Sequence, residues 1–129
     1  MTRNTNTNPE TDLQIALDKN TIFKFECYIE EDKIKLNLKQ INNDTPYYYQ
    51  KSFILEEFYL ICPAFRSCNS LEEVREFLLA LLKQRLVSLV SYEDGKKLEM
   101  EFTIFNINQK EIFKLMLERN QYNNYGIKS

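Results

Sequence analysis

Four groups of residues in this chain are of types that could do chemistry: the thiols of Cys27, Cys62 and Cys68, the carboxylate pairs Glu56/Glu57 and Glu72/Glu73, the tyrosine run Tyr47, Tyr48, Tyr49, and the polar stretch containing Arg66, Ser67 and Asn69. A thiol becomes a nucleophile when a base or a cation beside it favours the thiolate. The chain contains no histidine, so Arg66 is the sole local candidate for activating Cys68, and inert, buried thiols are expected. The spacing of Cys62 and Cys68 fits no standard zinc pattern, and no second pair is present to complete four ligands. Each glutamate pair falls in what reads as a first helical turn, where capping and the helix dipole account for it better than acid–base catalysis. With only two glycines, Gly95 and Gly126, a Gly-rich phosphate cradle is excluded. The expectation is a non-enzyme with no catalytic residue, no metal and no cofactor.

The tyrosines and the 66–69 stretch are left as candidates for binding. On a strand Tyr47 and Tyr49 point one way and Tyr48 the other. Stacked aromatics on a sheet can hold single-stranded nucleic acid, but only Lys51 is basic nearby and the glycines of an RNA-binding motif are missing. Core packing and a protein-binding face are therefore expected ahead of base stacking. Arg66, Ser67 and Asn69 form a polar link between two helical stretches, a surface corner where a partner could dock.

These residues need elements to position them. Phe23, Phe25, Cys27 and Ile29 alternate with polar residues, Ile34, Leu36 and Leu38 repeat the pattern, and a connection at Glu31 and Asp32 puts both apolar sets on one face. Leu13, Ile15 and Leu17 could add a short first strand. Tyr47 to Phe53 reads as a strand after the polar turn 42–46. One helix is expected from Leu55 to Pro63. Another should start at Ser70, where Ser70 and Glu73 have capping-box spacing and Leu71, Val74, Leu78, Leu81 and Leu82 follow at helical intervals. Asp94-Gly95 marks a second hairpin, pairing Leu89 with Met100, Val87 with Phe102 and Tyr92 with Lys97. Lys110 to Arg119 has both periods: Ile112, Leu115 and Met116 suit a helix, Phe113, Leu115 and Leu117 a strand. The strand is preferred because it protects an edge. The plan is α+β, an antiparallel sheet or small sandwich with two helices inserted between strands 3 and 4, one domain over 13–119, a disordered tail at 1–12 and a frayed polar tail at 120–129.

At 129 residues and 43% hydrophobic content, one domain with one core is expected. Net charge is −2, which supplies no field to attract nucleic acid or anionic lipid. Three cysteines, an odd number, and a polar amino terminus fit an intracellular, cytoplasmic setting, and no apolar segment reaches membrane-spanning length. In element order, and in the segments Phe53-x-Leu55-Glu56-Glu57 and Ser70-Leu71-Glu72-Glu73-Val74, the region Phe23 to Arg119 resembles the globular heads beside coiled coils in centriole-cartwheel and DNA-end-joining scaffold proteins. That resemblance implies a scaffold module of a cytoskeletal or ciliary assembly; no functional residue carries over from it. The expected function is a protein–protein interaction or scaffold module, a small subunit or adaptor whose partner is another protein or protein complex. Homodimerisation is compatible with it, and a single-stranded nucleic-acid-binding module is the alternative.

Overall fold

A computed structural model of the protein describes residues 13–121. The expected tail at 1–12, and positions 122–129 of the other, lie outside the described residues. The elements are β1 (Gln14–Asp18), β2 (Thr21–Glu30), β3 (Lys33–Gln40), β4 (Tyr47–Phe53), α1 (Leu55–Ile61), a 3-10 turn (Pro63–Ser67), α2 (Leu71–Lys83), β5 (Val87–Tyr92), β6 (Lys97–Phe105) and β7 (Lys110–Gln121). The seven strands of the described residues belong to one antiparallel sheet in the order β1-β2-β3-β4-β7-β6-β5.

Local chemistry sets the two expected hairpins. Glu31 and Asp32 take positive φ values of 54° and 62°, the left-handed pair that a tight two-residue turn requires. The register that follows pairs Ile29 with Ile34, Cys27 with Leu36 and Phe25 with Leu38. In the second hairpin three successive residues, Glu93, Asp94 and Gly95, are left-handed, with φ of 54°, 56° and 84°, and around this turn Leu89–Met100, Val87–Phe102 and Tyr92–Lys97 pair as expected. In β7 the period of two prevails: Phe113, Leu115 and Leu117 are buried while Ile112 is exposed. A strand there bonds β6 on one side and β4 on the other, satisfying a backbone that a helix would have withdrawn from both.

The sheet curls, and its concave face is filled by the helices. Val74, Leu78, Leu81 and Leu82 form the buried stripe of α2, which lies against β2, β3 and β6. A chain of rings ties α1 and the 3-10 turn to the strands: Phe53 to Phe58 at 5.2 Å, Phe58 to Phe65 at 4.9 Å, Phe65 to Phe113 at 4.9 Å, and Phe113 stacked on Phe102 at 4.7 Å. Edge-on and offset ring pairs of this kind add to the stabilisation from burial alone.

The expected fold class needs correction. The molecule is mostly antiparallel β with two helices, and those helices lie between the fourth and fifth strands, not between strands 3 and 4. The extra strand is β1, where Ile15 alone is buried, so its alternation is too short to carry a strong signal. No separate halves pack as a sandwich, because Tyr47–Gln50 of β4 pairs with Glu118–Gln121 of β7 and joins the two meanders into one sheet.

Capping explains where α2 begins. Ser70 Oγ accepts the Glu73 N–H at 3.3 Å, and Glu73 Oε1 accepts the N–H of Asn69 at 2.7 Å, one residue before the partner a reciprocal box would use. Ser70→Ala should lower stability by about 1 kcal/mol in denaturant melts. An unchanged midpoint would contradict this start.

Candidate interaction surfaces

Strand alternation turns Tyr47 and Tyr49 to the inner face and Tyr48 to the outer one, with Arg119 opposite Tyr49 and Asn120 opposite Tyr48. The Arg119 guanidinium sits 4.4 Å from the centre of the Tyr47 ring, an arrangement favoured by the ring quadrupole. Tyr49 meets Phe23 edge-on at 5.7 Å, and its hydroxyl donates to the Gly95 carbonyl at 2.5 Å. Burial pushes the Tyr49 phenol up, against the opposing pull of Arg119. Tyr49 thus pins β4 to the β5–β6 turn. Tyr49→Phe should cost about 1 kcal/mol by leaving that carbonyl without its donor, and an unaltered melt would show the bond to be without weight.

Arg66 and Ser67 are exposed residues of the 3-10 turn, whose Phe65 is buried, and Asn69 is exposed just beyond it. The fold does not unite this corner with the tyrosines. Phe65 packs on Phe113 whereas Tyr49 pairs with Arg119, and six residues of strand separate those β7 positions by about 20 Å. Cys68 is no activated nucleophile: burial raises its thiol above the ordinary range and Glu73 raises it further. Cys62 is likewise raised by burial, and Cys27 is pushed up to about 12 by burial, with Arg75 opposing. Among the described residues, no group of three or more His, Cys, Asp or Glu is placed to hold a metal ion, and no helix is long and apolar enough to cross a membrane.

On the outer sheet face Asn37 is buried, and it is satisfied by side chains alone. Its amide donates to Tyr28 Oη at 3.3 Å and Glu26 Oε1 at 3.5 Å, and its carbonyl accepts from Gln50 Nε2 at 2.6 Å. Lys24 and Lys39 close ion pairs on Glu26 at 3.7 and 3.1 Å. The network is internally paired, so it has little unmet demand for a ligand.

The feature that the sequence reading missed is apolar. At the β6–β7 hairpin, Phe105 is 65% exposed, Ile107 97% and Ile112 47%, and Leu60 of α1 is 85% exposed. Phe105 pairs with Lys110 and Thr103 with Ile112, which places Phe105 and Ile112 as diagonal neighbours on one face. The turn is closed by the Asn106 N–H donating to the Gln109 carbonyl at 2.8 Å, leaving Ile107 at the tip. Asn106 Nδ2 donates to Glu111 Oε2 at 2.8 Å, and Cys62 Sγ donates to the other oxygen of that carboxylate at 3.6 Å, tying the segment just after α1 to the same hairpin. The signal was present as an isoleucine between two asparagines in a turn.

Comparisons with protein-family models, curated proteins and solved structures found no match for this chain.

Proposed function

We propose that this domain is a protein–protein interaction module, a small subunit or adaptor of a larger assembly, which docks through the apolar end of the β6–β7 hairpin. One observation carries the reading: Phe105, Ile107 and Ile112 hold large apolar side chains in water at one end of a well-packed fold, held there by a hydrogen-bonded turn. Leaving such side chains exposed forgoes burial worth about 1.5–3 kcal/mol for each fully covered one, and an aromatic flanked by aliphatics inside a polar rim of Asn106, Asn108, Gln109 and Lys110 has the make-up of an interface anchor. The net charge of −2 disfavours an anionic membrane as the covering surface.

The test is capture of the partner from the native cells by the wild-type protein and by a Phe105→Ala/Ile107→Ala double variant. Salt-insensitive capture, weakened about tenfold or more in the double variant, or about 1.4 kcal/mol, with an unchanged melting curve, is the expected result. Undiminished capture by the variant would overturn the reading, as would salt-dependent retention on single-stranded RNA in place of a protein partner.

A further inference from the structure

The sheet does not close. β1 and β5 stand at the two ends of its strand order, each with one bonded neighbour, and they face each other with Cα atoms within 8 Å. All six pairings between successive strands in that order are antiparallel. Strand direction therefore reverses six times from β1 to β5, and the two edges point the same way. An antiparallel barrel closes on an even number of strands; with the seven of the described residues, the last pairing would have to be parallel. That mismatch leaves a seam.

The seam presents unpaired backbone. Phe25 N–H donates to the Leu13 carbonyl at 2.9 Å and Thr103 N–H to the Leu86 carbonyl at 2.9 Å. Because antiparallel bonding alternates along a strand, Gln14 and Ala16 of β1 and Val87, Leu89 and Ser91 of β5 turn their N–H and C=O groups outward, toward the gap. Among the described residues β1 and β5 form no ladder with each other. Where both strands begin, the gap widens into a cleft of about 650 Å³ whose walls include Gln14, Ala16, Leu82, Val87 and two cations at the end of α2, Lys83 and Arg85. Neither cation forms an ion pair with any described residue.

We infer that the β1–β5 seam is a binding site for an extended peptide of another protein, which enters as an eighth strand and carries acidic residues toward its carboxyl end. An eighth strand antiparallel to both edges restores an even count and supplies donors and acceptors to both rows of free backbone groups, the mode of recognition by strand addition. Its direction is set. Running opposite to β1 and β5, it brings its carboxyl end to the side where those strands begin, beside Lys83 and Arg85, so side-chain carboxylates or a terminal carboxylate meet the two unpaired cations there. Alternate side chains of the incoming strand cover the apolar wall at Leu82 and Val87. Strands flanking a third are about 9.6 Å apart, so admission must move the two edges apart by at least about 1.6 Å, a displacement that falls on the five-residue β1, which bonds β2 alone. This surface is distinct from the β6–β7 hairpin and does not depend on it.

The experiment is selection of displayed random ten-residue peptides on the wild-type protein and on a Lys83→Glu/Arg85→Glu variant whose melting curve matches it. The expected outcome is enrichment of peptides with alternating β-branched residues and with acids in the carboxyl-terminal half, lost at least tenfold on the charge-reversed variant. Hydrogen exchange with an enriched peptide should slow at the amides of Gln14, Ala16, Val87 and Leu89. Equal enrichment on both proteins, acids favoured at the amino end, or protection confined to residues 105–112 would each overturn the assignment. Protection of the seam amides by self-association of the chain alone would overturn it too.

Discussion

Phe65→Ala is expected to be among the most damaging single substitutions in the domain, lowering stability by about 3–5 kcal/mol. The side chain is fully buried in a turn of only five residues, yet it touches three other rings, Phe58 at 4.9 Å, Phe77 at 5.4 Å and Phe113 at 4.9 Å. Truncation would remove the joint between both helices and β7 and leave a cavity that the surrounding packed core cannot collapse to fill. Denaturant melts read the loss directly. A change below about 1 kcal/mol would mean that the 3-10 turn lies on the surface and the ring chain is not continuous.

Leu78→Ala should cost about 2–5 kcal/mol, while Glu76→Ala, on the exposed side of the same helix, should stay within about 0.5 kcal/mol. The contrast tests the placement of α2. Leu78 is fully buried and sits with Val74 and Leu81 on the stripe that faces the concave sheet. If α2 instead rode on the outside of the sheet, the two substitutions would have similar, small effects.

Legibility followed range along the chain. Both expected hairpins were readable because turn chemistry and alternation lie within a few residues of each other, so the pairings Cys27–Leu36 and Leu89–Met100 came with the turns. The joining of β4 to β7 was not readable. Tyr47 and Gln121 are partners across more than half the chain, with no local residue to announce the pairing, and without that link two meanders look like two halves of a sandwich. The alternation of the tyrosines was legible, but whether they face a partner was not, since Arg119 and Gly95, which engage Tyr47 and Tyr49, come from distant segments. Ile107 is masked in the sequence by its neighbours Asn106 and Asn108, which mark a turn, where a polar residue is the rule and a single apolar one gives no periodicity. The seam is invisible in sequence for a further reason: it arises from the parity of the strand count, and β1 rests on an alternation of only Leu13, Ile15 and Leu17.

The proposed covering of the hairpin end by another protein can be read by placing a photo-reactive benzophenone side chain at position 107 and, as a control, at position 72 on the exposed face of α2, then irradiating the protein in its native cells. The expected result is a discrete cross-linked polypeptide from position 107 that is absent from position 72 and that disappears when Phe105 is also replaced by alanine. Equal products from both positions, or none from position 107, would contradict it.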